Sequence, residues 1–375
     1  MKTPRIKRIR LWTLRIPLPH AVYLGRLRIE HREFAVAQIE SNTGLTGWGA
    51  TLTRDKPVEQ AAQQRFLPVL LGQELTQDDQ LWEKMMCAAN EVTHRDGVMR
   101  ALSILDIASW DLRAKIEEMP LLELLGGKTS SVDVLVVGGY RAEDESPEAL
   151  LSEIDYYRLH HVRNLKLMYT PDEMISRSDL LVRVRQRIGD DAMFGNDFIG
   201  NGRDVATIVS ALERVKDAKM DFIEDPFPTT EILNYLRLRK RIRCRIMAGE
   251  TVEDYSGAKD LLAARVLDVA RWDATVCGGI TGWLKLQTLA AQHGMSVCPH
   301  VFPEIHTPLA AATNQQFVEA TISPYDTMNF SAVVDHPLKL HNGKFLISER
   351  AGLGVEFVPE KAKTFMINNN MGGAA

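Results

Sequence analysis

Ala192-Met193-Phe194-Gly195-Asn196-Asp197, Phe222-Ile223-Glu224-Asp225 and Arg245-Ile246-Met247-Ala248-Gly249-Glu250 are three short, largely apolar runs, each closing on an acid. Short apolar runs bounded by turn residues read as buried strands. Asp197, Glu224 and Glu250 lie 27 and 26 positions apart, so one carboxylate arrives with each repeat. Between the first two runs, Val205, Ile208, Val209, Leu212 and Val215 recur at helical spacing with charges opposite. Strands alternating with amphipathic helices imply βαβ units and a parallel sheet.

Working outward, the same alternation places strands at 132–138, 164–168, 266–273, 295–301 and 317–319. Eight strands in one series suggest a barrel, a modified TIM barrel spanning 128–322. The preceding part, 1–127, reads as a separate α+β unit. Strand-like stretches between Arg5 and Glu40 flank the segment 17–32, and Gly44, Gly47 and Gly49 mark turns. Helical spacing then runs to Lys115, with Leu102, Leu105, Ile107, Trp110 and Leu112 on it, before Pro120 and Gly126-Gly127 end the unit. After Ile322 the alternation stops. The segment 323–375, with Gly352 and Gly354, reads again as strands and turns that return to the first unit.

The bulk properties agree. A chain of 375 residues exceeds one ordinary domain. With 45% hydrophobic and 25% charged residues it has a globular balance. A formal charge of −4 offers no basic excess for nucleic acid or an acidic membrane. Cys87, Cys244, Cys277 and Cys298 form no C-x-x-C pair, which suits a reducing compartment, and a cytoplasmic location is expected. Lys2, Arg5, Lys7, Arg8 and Arg10 are followed by no apolar signal core, and no stretch is long enough to span a bilayer.

The C-terminal ends of barrel strands converge on one site, so Asp197, Glu224 and Glu250 would form an oxygen-only cluster for a hard cation, with Mg²⁺ the natural choice. Any one of them alone would read as a solvated loop acid. Asp273 closes the sixth strand and His300 follows the seventh. An Asp that accepts a ring N–H orients the imidazole and supports its protonated form. His300 and His306, spaced six apart, raise zinc as a rival, although the acids favour magnesium. Gly126-Gly127-Lys128-Thr129 ends like a phosphate loop, but Leu122 stands where its first glycine belongs. The basic run 237–243 reads as the solvent face of a helix.

Taken in order, Asn164-Leu165-Lys166-Leu167-Met168, the Asp197 strand, Phe222-Ile223-Glu224-Asp225-Pro226, Ala248-Gly249-Glu250, Asp273 with Gly278-Gly279-Ile280-Thr281, Pro299-His300-Val301-Phe302 and Phe317-Val318-Glu319 resemble the successive barrel motifs of the mandelate racemase/muconate lactonizing enzyme group of the enolase superfamily. Ile104 to Leu112 and Gly352-Leu353-Gly354-Val355 extend the resemblance over nearly the whole chain. It implies a (β/α)7β barrel under an α+β cap, with specificity in the cap around 17–32 and 49–57, where His20, Tyr23 and Arg26 are candidate substrate contacts. It further implies that Asp197, Glu224 and Glu250 bind magnesium, that the metal takes a substrate carboxylate and stabilises the enediolate left by loss of an α-proton, and that Glu319 donates a hydrogen bond to that intermediate. A homo-oligomer acting on a small carboxylate is also implied.

One departure stands out. The group usually carries Lys-x-Lys on the second strand; here the pair is Lys166 and Met168. Residues two apart on a strand share a face, so Met168 should point into the barrel without a proton to move. Loss of one arm favours dehydration of a sugar acid by His300, base and then acid, with Asp273 as its partner and Lys166 as an electrostatic contact. Two alternatives stay open: a racemase or epimerase in which Tyr169, a cap residue or Lys166 itself supplies the second arm, and a decayed member that only binds metal and ligand.

Overall fold

The computed structural model describes residues 3–24, 27–75, 79–89, 97–140 and 146–373. Three long antiparallel strands, β1 (Ile6–Leu24), β2 (Leu27–Ser41) and β3 (Thr46–Leu52), form the first sheet. Its fourth strand, Met366–Gly373, comes from the far end of the chain and pairs antiparallel with β1. Side chains alternate across a sheet, and β1 uses both faces. Ile9 and Leu11 pack into one core with Phe66 and Leu70, while Trp12, Leu14 and Ile16 join the larger core shared with the barrel.

The barrel follows the expected series. Its strands are β4 (Ser131–Val137), β5 (Asn164–Leu167), β6 (Phe194–Asp197), β7 (Phe222–Glu224), β8 (Arg245–Ala248), β9 (Val269–Ala270), β10 (Ser296–Val297) and β11 (Phe317–Ala320). All neighbouring pairs from β4 to β10 are parallel, and β11 closes back on β4. Helices fill the connections, giving a (β/α)7β barrel beneath an α+β cap. Between β10 and β11 no strand ladder is formed among the described residues; there the Gln315 carboxamide accepts the Val297 N–H at 2.8 Å.

Two readings need correction. The apolar runs 266–273 and 295–301 produce strands of only two residues each. Parallel-type bonds continue beyond them, with Arg271 N–H donating to Ala248 O and Cys298 N–H to Ala270 O, both at 2.9 Å, but the chain then turns inward to present Asp273 and His300. The tail also divides its allegiance. Its hairpin Lys339–His341/Lys344–Leu346 adds antiparallel to β4 of the barrel, and only the later residues join the cap sheet. Among the described residues no helix is long and apolar enough to cross a membrane.

The cap helix Val98–Ile116 locks the barrel's sixth helix, Gly279–Gln292, in place. The first turn of a helix leaves backbone N–H groups without partners, and Gly278, at φ 92°, has no side chain to cap them. Partners come from the cap helix instead. Ser103 Oγ accepts from the N–H of Gly278 (2.9 Å) and Gly279 (3.1 Å), and the Asp106 carboxylate accepts from Thr281 N–H (2.9 Å) and hydroxyl (2.8 Å). The Trp110 indole donates to the same Thr281 hydroxyl at 2.9 Å. This is the physical content of the helix motif and of the Gly-Gly-Ile-Thr motif read separately in the sequence. The approach is so close that a Cβ on Gly279 would stand 2.3 Å from the Asp106 carboxylate.

Gly279→Ala should therefore combine overpacking with a left-handed backbone penalty, destabilising the protein by roughly 2–4 kcal/mol. Gly44→Ala, also at positive φ but with open space around it, should show only the backbone part, roughly 1–2 kcal/mol. Urea unfolding of both variants checks the difference; equal losses would show that the approach to Asp106 relaxes freely.

Candidate active site

The acids that opened the sequence reading meet at the mouth of the barrel. Asp197 and Glu224 end β6 and β7, Glu250 follows β8 after one glycine, and one oxygen of each lies within 4.8 Å of the others. Gly249 is required for this turn. Its φ is 124°, and a Cβ there would reach within 2.6 Å of the buried Trp272 ring. The Glu224 Oε2 atom is buried with no hydrogen-bond partner. An all-oxygen donor set with an orphaned buried carboxylate oxygen fits a hard divalent cation.

Carboxylates this close repel one another and resist burial. Burial first, then Glu224 and Glu250, push the Asp197 carboxyl up to about 7 against the pull of Lys166. Two buried cations compensate. The Lys166 ammonium lies 3.1 Å from Asp197, 3.0 Å from Glu224 and 2.6 Å from Glu319. Arg271 is fully buried: its Nε donates to Glu224 Oε1 at 3.0 Å, one terminal nitrogen reaches the carbonyls of Cys298 (2.6 Å) and Pro299 (3.1 Å), and the other pairs with Glu319. One guanidinium thus ties a candidate metal ligand, the last barrel strand and the backbone just before His300 together. Arg271 was not recognised in the sequence, although it stands two residues before Asp273.

His300 sits where expected and bridges two carboxylates, with Nδ1 2.9 Å from Asp273 and Nε2 2.9 Å from Glu250. Burial lowers the imidazole pKa, but the Glu250 charge and the hydrogen bond to Asp273 outweigh it and hold the ring protonated, at about 10. Val301 and Phe302, immediately after it, occupy left-handed backbone at φ 38° and 44°. Such strain in a β-branched and an aromatic residue persists only where the surroundings enforce it. The zinc rival fails at His306. Its Nδ1 meets Val301 O at 2.6 Å and its Nε2 accepts the Ala274 N–H at 2.9 Å, so both ring nitrogens are occupied.

A cavity of about 570 Å³ opens over Asp225, Glu250, Asp273 and His300. A narrow extension, sharing Arg54, Ile199, Glu250 and His300, is lined by Lys166, Met168 and Glu319. Met168 does face the site. Leu24, Arg32 and Tyr140 line the same extension. His20 instead lines a separate small cavity, and Tyr23 donates its backbone N–H to Tyr140 O at 2.7 Å; neither lines the reaction cavity. Arg26 lies outside the described residues. Tyr169 is buried in the core, its N–H donated to Asn196 Oδ1 at 3.0 Å, and is absent from the cavity wall. Glu319 is ion-paired with both Lys166 and Arg271, which favour its ionised form. An ionised carboxylate accepts hydrogen bonds and donates none, so this arrangement does not match the donor expected from the resemblance.

Residues 8–126 match the mandelate racemase/muconate lactonizing enzyme N-terminal domain, and residues 150–362 match the enolase C-terminal domain-like family. The chain belongs to the mandelate racemase/muconate lactonizing enzyme group of the enolase superfamily. Its curated relatives include arabinonate dehydratase of Saccharolobus solfataricus, 25% identical over 86% of this chain and 87% of the relative, and D-galactarolactone cycloisomerase of Agrobacterium fabrum, 27% identical over 88% and 90%. Among solved structures, L-talarate/galactarate dehydratase from Salmonella typhimurium LT2, liganded with Mg and L-lyxarohydroxamate, superposes with a TM-score of 0.90 at 24% identity, covering 100% of this chain and 95% of that one. The fold of the superfamily member is thereby matched from end to end.

Removing one partner from a buried charge cluster strands the others, at a cost of roughly 3–5 kcal/mol. Arg271→Met should lose about that much stability when unfolded by urea in EDTA. A loss below about 1 kcal/mol would mean that Lys166 alone compensates the cluster.

Proposed function

We propose that this protein dehydrates a sugar acid, taking the α-proton with His300 and returning it to the departing β-hydroxyl. The carrying observation is an oriented His300–Asp273 pair facing the cavity, while Met168 faces the same site with no proton to exchange. Sugar-acid dehydratases recur among the relatives, acting by name on arabinonate, galactarate and galactonate, and related structures hold magnesium with glucarate.

In this reading Asp197, Glu224 and Glu250 hold magnesium, which supplies positive charge to the substrate carboxylate as negative charge grows there. Asp273 fixes the His300 ring through Nδ1; Nε2, paired with Glu250 while that carboxylate carries no cation, would become the atom that takes the α-proton once a cation takes up the Glu250 charge that otherwise keeps the ring protonated. The electron pair of that C–H bond enters the carbon skeleton. It then expels the β-hydroxyl, which leaves as water with the proton from Nε2, and the enol tautomerises to a 2-keto-3-deoxy acid. Lys166 acts as fixed charge: three carboxylates surround its ammonium. Glu319 anchors Lys166 and Arg271.

Racemisation needs a proton-transfer group on each face of the planar intermediate. Tyr140 is the added polar candidate in the extension, but burial foremost pushes its phenol up to about 12. It keeps its proton at neutral pH and cannot serve as the second base, which favours elimination over two-way epimerisation.

The test is a screen of sugar acids with Mg²⁺ for 2-keto-acid formation, run beside α-proton exchange in D₂O. Turnover should vanish in EDTA, and His300→Asn should lower it by roughly 10²–10⁴-fold. Exchange without dehydration would sink the elimination in favour of racemisation, and silence in both would leave only a binding role.

A further inference from the structure

Removal of an α-proton drives negative charge onto the substrate carboxylate, and a preorganised hydrogen-bond donor at that oxygen is among the largest contributions an active site makes. The groups around the acid cluster are already engaged. Lys166 Nζ faces three carboxylates, the Arg271 guanidinium holds Glu224, Glu319 and two backbone carbonyls, and Glu319 is ionised between the two cations. Met168 has no proton to donate.

The backbone brings Tyr140 to this place. β4 ends at Val137, and the Gly138 N–H then donates to Lys166 O at 2.9 Å, so the chain leaves the barrel beside Lys166. Gly139 turns at φ 72° with its N–H donated to the buried Glu153 carboxylate at 3.3 Å, and Tyr140 O accepts the Tyr23 N–H of cap strand β1 at 2.7 Å. Tyr140 is thus held between barrel and cap. It lines the narrow extension with Lys166, Met168, His300 and Glu319, and the charges acting on its phenol are those of Arg32, Glu319, Lys166 and Asp197.

Tyr140 also borders the small cavity that holds Glu153 and Asp326. Neither acid accepts its hydroxyl. Glu153 accepts from the Tyr157 hydroxyl and Gly139 N–H, while Asp326 accepts from the Thr321 hydroxyl (2.8 Å) and the N–H groups of Met328 (2.8 Å) and Asn329 (3.1 Å). Among the described residues the Tyr140 hydroxyl has no hydrogen-bond partner. Arg32 and Arg54 line the extension too, but Arg54 is exposed beyond the end of β3, and Arg32 is tied through Nε to Thr327 O at 2.9 Å. A phenol keeps its O–H at neutral pH, and the positive charge of Arg32 makes it a stronger donor.

We propose that Tyr140 is a further catalytic residue: its O–H donates a hydrogen bond to the substrate carboxylate oxygen that gains charge as the α-proton leaves, the role that Glu319 does not fill. The proton stays on the phenol throughout, so no bond to it breaks. The inference rests on the α-proton reading of the site and not on the elimination that follows it.

Calorimetric titration with Mg²⁺ present tests it on two small probes, glycolate, which resembles the reacting end of any 2-hydroxy acid, and glycolohydroxamate, whose planar anion resembles the enediolate. Transition-state-like ligands report interactions that strengthen during the reaction. The protein should prefer the hydroxamate, and Tyr140→Phe, which keeps the ring, should shrink that preference roughly tenfold or more, the effect of a hydrogen bond to a charged oxygen. Mg²⁺ affinity and the urea midpoint should not move. An unchanged preference, or equal weakening of both probes, would overturn the proposal while leaving the α-proton reading intact. No hydroxamate preference in the unmodified protein would overturn both. A preference that depends on Tyr140, without 2-keto product from any sugar acid, would leave the proposal standing and count against elimination alone.

Discussion

Everything at the barrel mouth depends on keeping like charges together. Asp197, Glu224, Glu250 and Glu319 arrive on four different βα units, and their mutual repulsion is opposed by Lys166 and Arg271, both buried among them. The cluster resembles a small ionic lattice more than a set of independent side chains. Because Glu224 Oε1 is shared by both cations while Oε2 is buried without a hydrogen-bond partner, the lattice is neutralised incompletely. Stability and chemistry therefore draw on the same charges, as expected when natural proteins retain strained electrostatics at functional sites.

The remainder of the fold fixes that lattice in space. Arg271 grips the carbonyls of Cys298 and Pro299, so the segment carrying His300 is referenced to Glu224 and Glu319. Ser103 and Asp106 cap a barrel helix from the cap domain, which steadies the turn following Asp273. The two halves of the dyad are thus held by different devices, one electrostatic and one built from backbone hydrogen bonds.

Much of this was legible beforehand. The near-equal spacing of Asp197, Glu224 and Glu250 is a direct imprint of a repeating unit, and periodicity survives without any knowledge of contacts. The positions of Asp273, His300 and Lys166 followed from the same series. Arg271 carries no local sign of its role: in the expected strand 266–273 alternation places it on the same side as Asp273, but a lone arginine within an apolar run does not reveal which carboxylates it will meet. The destination of 339–346 could not be read at all. A short hairpin carries no local signal of which sheet edge it will join, because that choice is made by tertiary packing. His20 and Tyr23 mark a related limit: the hairpin lies near the site, but which of its residues turn inward depends on register shifts such as that between Pro17 and Val22.

The cap sheet also has a history in time. Its strand β1 lies between β2 and Met366–Gly373, so an edge begun at position 6 is completed by residues near the other end of the chain. While the polypeptide is being synthesised, the barrel can assemble in order behind the ribosome, but β1 must wait with one long hydrogen-bonding edge bare. Unpaired edges recruit other strands. The fold thus places its greatest exposure to aggregation in the newborn chain, before the final strand has been made.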